Sequence, residues 1–488
     1  MQVRDVRLSK QPKGGNEAIA ALFLILSSSH LTTMHLAVLG VGLLFLGRIS
    51  ALQIQLNDPQ SIKDAASQTA YGSLLWYSGN ETGRIPGSFP EKWWEGSVLF
   101  TSLILYWYYT GDSQYNALTI QGLQWQAGDN GDYLPANYSS YLGNDDQFFW
   151  GAAAMTAAEL GFPEDDDGYS WLSLAQGVFN SQTRRWDNET CGGGFRWQHY
   201  PYQGAGYTLK NAISNGGFFQ LAARLARYTD NSTYAEWAQR TWDWSVSTPL
   251  VNNKTWNVAD STSNNDGCTT QGNTQWSYNY GAYITGAAYM YNYTGEAQWK
   301  RAVDGLLDRI LEQFFPQRYG GGNVISDICE PVELCNFNEI LFKGIVSAWL
   351  TTVATIVPDT YDRIFPKLQT SAQAAALSCS GAGNSSCSVR WYPREWDKTI
   401  GMEQQIIATF VLSSVLVTEK SAVPLTSTTG GNSTSNPNLG TNDDDNVTEP
   451  SKISTGDRVG ASILTVLFVG LWGGMTAWMI LGEKDMMG

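Results

Sequence analysis

The chain has 488 residues, enough for two or three average domains or one large one. Charged residues make up only 15%, below the usual ~25%, while Trp and Tyr number 20 and 24. The net charge of −15 argues against nucleic acid and anionic membrane surfaces as partners. Only three histidines occur, His30, His35 and His199. They leave little from which to build a His-based zinc site or a Ser-His-Asp triad, so carboxylates are the candidate chemical groups. No metal and no cofactor are expected.

Residues 1–51 read as a leader, basic and then apolar. A cleaner secretory signal starts at Met34, MHLAVLGVGLLFLGRISALQ, with cleavage expected after Ala51. The competing reading is an uncleaved anchor, but the apolar run Leu36–Leu46 is short for a membrane span.

Residues 52–420 show no strand alternation and no βαβ rhythm, but twelve helical stretches. In order these are Ser61–Tyr77, Trp93–Tyr109, Tyr115–Ala127, Asp145–Leu160, Trp171–Arg184 and Asn211–Tyr228. The other six are Tyr234–Val246, Trp276–Tyr291, Ala297–Phe315, Asn338–Ile356, Ile364–Leu377 and Gly401–Leu416. YTGDSQY (109–115), YTDNSTY (228–234) and YTGEAQW (293–299) are one repeated turn between helices. Every second helix opens on a polar-aromatic signature and continues into small residues: WWEG at 93, NDDQFFWG around 145, NAISNGGFF at 211, WSYNYGAY at 276, NEILFKG at 338 and GMEQQ at 401. Small-residue helices can pack closely on several neighbours and belong inside; the more charged helices between them belong outside. Six hairpins closing on themselves predict an all-α fold, an (α/α)6 barrel with the inner-helix starts ringing a cleft. An open α-solenoid would need capping repeats and gives no reason to gather these motifs at one end.

After the barrel, residues 421–454 are rich in Ser, Thr, Asn, Gly and Pro and contain the acidic run Asp443–Asp445, which predicts a disordered stalk. Residues 455–488 then read as a GPI-attachment signal, with Ser454 as attachment residue and an apolar tail from about Ile463 to Leu481. A true transmembrane helix is the alternative. Nine N-x-S/T sequons, at Asn80, Asn137, Asn188, Asn231, Asn253, Asn292, Asn384, Asn432 and Asn446, suit an exported glycoprotein. Six cysteines suit disulfides; the short spacings favour Cys329–Cys335 and Cys379–Cys387, leaving Cys191–Cys268.

Asp145 and Asp146 fall in the first turn of an inner helix. Acids there also serve as plain caps. In a barrel the same position is the cleft, and two neighbouring carboxylates cannot both ionise freely, so one is held protonated. Candidate substrate-binding residues around them are Trp93, Trp94, Tyr141, Asn144, Gln147, Phe195, Trp197, Asn211, Tyr278, Tyr280, Lys343, Trp391 and Glu403, with Glu95 nearby. Aromatic faces beside amides and acids suit sugar rings. Two carboxylates in such a cleft form a minimal glycosidase apparatus.

GNDDQFFWGAAAMTAAE, CGGGFRWQ (191–198), KNAISNGGFF (210–219), YNYGAYI (278–284) and LFKGIV (341–346) resemble the motifs of glycoside hydrolase family 76, the α-1,6-mannanases. The resemblance covers roughly residues 55–415. Leader, stalk and tail point to its fungal cell-wall branch, the Dfg/Dcw proteins. It implies an (α/α)6 barrel, retention of anomeric configuration, Asp145 as nucleophile and Asp146 as acid/base. It also implies an α-mannoside or GPI-glycan donor, a cell-wall glucan acceptor, and a GPI-anchored protein at the plasma membrane or wall. One departure is VSAWL after LFKGIV, where many relatives carry an arginine. Three other readings stay open: a plain endo-α-1,6-mannan hydrolase, a non-catalytic wall sugar-binding protein, and a polysaccharide lyase.

Overall fold

The computed structural model describes residues 51–89, 92–381, 385–418, 423–442 and 454–484. The leader before residue 51, the acidic run Asp443–Asp445 and the sequons at Asn384 and Asn446 lie outside the described residues.

Twelve long helices build the body: α1 (Pro59–Leu74), α2 (Trp93–Thr110), α3 (Asn116–Gln126), α4 (Asn144–Leu160), α5 (Trp171–Thr183) and α6 (Ala212–Thr229), then α7 (Ser232–Ser247), α8 (Ser277–Thr294), α9 (Ala297–Gln313), α10 (Phe337–Ile356), α11 (Tyr361–Ser378) and α12 (Met402–Ser414). All twelve expected stretches are helical, with ends displaced by a few residues. Each even-numbered helix packs on the next, and α12 packs on α2, so these six close a ring. The odd-numbered helices lie outside it, completing an (α/α)6 barrel.

Small residues make this ring possible. A Cβ on Gly151 of α4 would approach Val178 to 2.9 Å, and one on Gly217 of α6 would approach Phe148 to 2.5 Å. The repeated turns join an inner helix to the following outer one. Gly111, Asp230 and Gly295 there adopt φ of 81°, 54° and 72°, a region open to Gly and tolerated by Asp. The sixth hairpin has no such turn. It is made of both ends of the barrel: α12 packs on α1, where Thr409 Oγ1 meets Thr69 Oγ1 at 2.9 Å.

The inner helices all start at one end of the ring, and the loops there are the long ones. Two three-residue strands that the sequence did not signal, β1 (Leu209–Asn211) and β2 (Ser261–Ser263), pair antiparallel among them. Disulfides Cys191–Cys268, Cys329–Cys335 and Cys379–Cys387 brace the same loops, in the pairing that the spacings favoured.

The stalk expectation needs correction. Residues 423–442 lie against the barrel, because their Ser, Thr and Asn groups and backbone carbonyls find polar partners along α5. Beyond them α13 (Thr455–Lys484) is an apolar helix with none of its Thr455–Thr476 window buried. The equally apolar α10 is 78% buried and is a core helix. All seven described sequon asparagines are exposed.

Candidate active site

The cleft at the start of the inner ring has a volume of about 1100 Å³ including its open mouth. Asp145 and Asp146 line it from the first turn of α4. Gly143 N–H donates to Asp146 Oδ2 at 2.8 Å, and Asp146 N–H donates to Asp145 Oδ1 at 3.0 Å. Both acids therefore do cap the helix, and both still face the cleft. Asn211 Nδ2 holds the other Asp145 oxygen at 3.2 Å. The side-chain oxygen Oδ1 of Asn211 is buried without a partner. Burial, reinforced by the charge of Asp146, lifts Asp145 well above the usual carboxylate range. Burial lifts Asp146 to about 6 against the bond from Gly143.

The floor is aromatic. Tyr278 stacks on Phe342 with centroids 3.7 Å apart, and Phe149 lies parallel to both Tyr278 and Trp349. Trp94, Trp197 and Trp276 form walls, and Trp94 Nε1 donates to Asn338 Oδ1 at 2.7 Å. Asp260 is a third half-buried acid in the cleft. Burial raises its pKa although Asn279 Nδ2 donates to it at 3.2 Å. Burial, and then the charges of Asp260 and Asp145, hold the Tyr278 hydroxyl far above its usual range.

The CGGG motif is scaffolding for this wall. Gly192, Gly193 and Gly194 all have positive φ, and a Cβ on Gly194 would reach Trp244 at 2.4 Å. Lys210 pins the loop, donating to Gly193 O at 2.5 Å and pairing with Asp187 at 3.0 Å. The chain is thereby led into Trp197, whose carbonyl accepts from Asn144 N–H at 2.8 Å.

Of the candidates named from sequence, Asp145, Asp146, Trp94, Trp197, Asn211 and Tyr278 line the cleft. Tyr141 is half exposed outside the lining, near enough for Asp146 to raise its hydroxyl pKa, which burial lifts first. The remaining eight are structural. Trp93 is buried, donates to Gln126 and stacks on Tyr138. Asn144 donates to Arg196 O, and Gln147 to Asp132 O. Phe195 packs in the core against Phe218. The Tyr280 hydroxyl is spent on Gln275 and Val258 N–H. Lys343 pairs with Glu330 beneath a buried Trp391, with its Nζ 4.1 Å from the ring centroid. Glu403 pairs with Lys92 and raises the neighbouring Glu95, whose pKa burial and this charge lift to about 9.

Asp260, Trp276, Phe149 and Phe342 were missed. The two phenylalanines lie inside motifs already singled out. Asp260 lies on a loop that reaches the site only because β2, which it precedes, pairs with β1 beside Asn211.

The profile of glycosyl hydrolase family 76 matches residues 61–428. The chain belongs to glycosyl hydrolase family 76. It is a glycoside hydrolase. Among family 76 relatives, the mannan endo-1,6-alpha-mannosidase DCW1 of Candida glabrata is 39% identical over 439 residues, 89% of this chain and 97% of that protein. Its Saccharomyces cerevisiae counterpart is 39% identical, covering 88% and 95%. The crystal structure of Dfg5 from Chaetomium thermophilum in complex with glucosamine superposes with a TM-score of 0.74 at 40% identity, over 80% of this chain and 97% of that one. A family 76 α-1,6-mannanase of Salegentibacter, solved with α-1,6-mannotriose as an inactive double Asp→Asn variant, shares the fold with a TM-score of 0.57 at 18% identity, over 73% and 99%.

Proposed function

We propose that the chain is a retaining α-1,6-mannosidase whose donor is mannan or the mannose of a GPI glycan, and which passes the sugar to cell-wall glucan. The observation that carries the reading is the half-buried pair Asp145–Asp146, open to an aromatic-floored cleft. The relatives named mannan endo-1,6-alpha-mannosidase support the donor.

In the first step the Asp145 carboxylate bonds to C1 of the mannose. The C1–O bond to the leaving group breaks, and Asp146 gives its proton to the departing oxygen. In the empty cleft burial and the charge of Asp146 keep the proton on Asp145, so it must pass to Asp146 before attack. Once Asp146 is protonated, its charge no longer opposes ionisation of Asp145. Bonds from Asn211 and the Asp146 N–H favour that carboxylate. In the second step Asp146 takes the proton of an incoming hydroxyl, whose oxygen bonds to C1 as the C1–Asp145 bond breaks. A water yields hydrolysis and a sugar hydroxyl yields transfer. Trp94, Trp197 and Trp276 supply ring faces to hold a sugar acceptor against water. The open mouth of the cleft favours a second reading, plain hydrolysis of α-1,6-mannan.

Incubation with a GPI-core mannoside and labelled glucan oligosaccharides decides between them. Label in a larger product of retained configuration is expected. Only free reducing sugar, across a range of acceptor concentrations, would leave the hydrolase.

The same reading places the protein on the secretory route and at the outer face of the plasma membrane or wall, GPI-anchored through Ser454. The apolar α13 directly after Ser454 supports an anchor there. Phosphatidylinositol-specific phospholipase should release the mature protein from membranes; an intact 463–481 segment in the mature protein would establish a transmembrane helix instead.

A further inference from the structure

The segment after α12 turns the chain back along its own barrel. α12 ends at Ser414, at the end of the ring opposite the cleft. Residues 423–442 do not leave from there. Leu425 N–H donates to Glu159 O near the end of α4 at 2.8 Å, and Arg227 Nη1 donates to Pro424 O at 2.9 Å. The strap then climbs α5. Ser433 Oγ accepts from Leu172 N–H at 2.8 Å, and Gln176 bonds Ser435 and Asn436. Asn180 Nδ2 donates to the carbonyls of Pro437 and Leu439, both at 2.8 Å. Arg184 donates to those of Gly440 and Asn442. Positions 172, 176, 180 and 184 are spaced by four and so share one face of the helix. The end of α5 is the cleft end: Gln182 Nε2 donates to the carbonyl of Asn144, the neighbour of Asp145, at 2.7 Å.

Asn442 therefore stands at the cleft end of the barrel. Residues 443–454 join it to α13, and fully extended they reach at most about 40 Å. Without the strap the tether would start from the opposite end. The cleft end also exposes Trp76 on a loop, Trp125 in the last turn of α3 and Phe337 at the start of α10, ring faces suited to sugars. Exposed sequons at Asn80, Asn137 and Asn253 lie on loops of the same end, which favours a glycan layer over inserted lipid as what this face meets.

We infer that the strap aims the cleft at the surface to which the C-terminus is anchored, so that its partner is an α-mannoside held on that same surface. This rests on the proposed mannosidase activity and on anchoring through α13 or a lipid that replaces it. A tether of this length gives surface-held substrate a high effective concentration, provided that the cleft faces it.

The test uses the full chain in phosphatidylcholine vesicles, with an α-1,6-mannotetraose either displayed on a lipid of the same vesicle or free. Wild type should prefer the displayed sugar by about tenfold or more. The triple variant Gln176→Ala, Asn180→Ala, Arg184→Ala should open 423–442 to protease and lose the preference, while turnover of the free sugar is unchanged. A second readout needs no activity. A dye on Trp125→Cys should transfer energy to headgroup-labelled lipid more than one on Glu296→Cys at the far end, and the triple variant should abolish the difference. Equal transfer in wild type, or an unchanged preference after strap release, overturns the inference. In a background of Trp472→Phe and Trp478→Phe, which removes the tryptophans of α13 itself, quenching of the remaining tryptophans by brominated acyl chains would overturn it in favour of lipid insertion. If neither sugar is turned over while the dyes still differ, the mannosidase reading fails and the orientation stands.

Discussion

Lys343 Nζ lies 2.8 Å from Glu330 Oε2, and both side chains are almost wholly shielded from solvent. Removing one partner of such a pair strands the other charge. Lys343→Met should therefore cost about 3–5 kcal/mol of stability. Denaturant unfolding checks this. KM for a mannoside should stay unchanged in the protein that remains folded, since Lys343 does not line the cleft.

Asp145→Asn and Asp146→Asn should each lower kcat by several orders of magnitude without loss of fold, because an amide is isosteric and still accepts the capping bonds. Steady-state rates on α-1,6-mannan, with circular dichroism as control, test this. Normal turnover in either variant would mean that these acids only cap α4.

Stability should move the other way at neutral pH. Asp146 titrates at about 6 in the fold, above its usual 3.8. Its contribution is present below about 4 and is lost as pH rises through about 6. The whole rise corresponds to about 3 kcal/mol. Asp146→Asn should thus match the wild type near pH 4 and exceed it in Tm at pH 7–8. Equal Tm values at both pH values would show that the carboxyl is not desolvated.

The pair needs one proton to work, so kcat should fall at both extremes of pH. The acid limb should lie near 6, where Asp146 loses its proton and the pair is left with one. The alkaline fall comes above it, because burial and the charge of Asp146 hold the last proton on Asp145. Wild-type initial rates across pH 4–10 would show both limbs, and a rate flat over that range would mean that neither acid donates a proton.

Two adjacent tryptophans should behave as opposites. Trp94→Ala removes a cleft wall and should lower kcat/KM about tenfold or more with a small change in Tm. Trp93→Ala empties a site packed by Tyr138 and Trp150 and should cost about 3–5 kcal/mol in stability.

That pair also shows what the sequence could carry. The ring was legible because close helix packing demands Gly and Ala and because the YTGD-type turn repeats. The two cleft acids were legible because NDDQ opens an inner helix. Which face of each inner helix meets the cleft was not. Tyr278 and Tyr280 are two positions apart and therefore point in opposite directions, so they could not both reach it. Tyr278 does, and Tyr280 is core. The strap was hidden because its composition is that of a solvated linker; its signal was the polar stripe Gln176, Asn180 and Arg184 on a helix that faces it.

The packing of α12 on α1 sets an order of events during biosynthesis. The chain is made from its N-terminus, so α1 emerges more than three hundred residues before its partner. Until residue 414 has left the ribosome, the buried face of α1, with Ala66 and Ala70, has no α12 to cover it, and the ring stays open between α2 and α10. Five hairpins can form as they appear, but the catalytic cleft is assembled only at the last. A nascent protein stalled short of α12 would present its inner ring to chaperones, and no partial product would carry a finished active site.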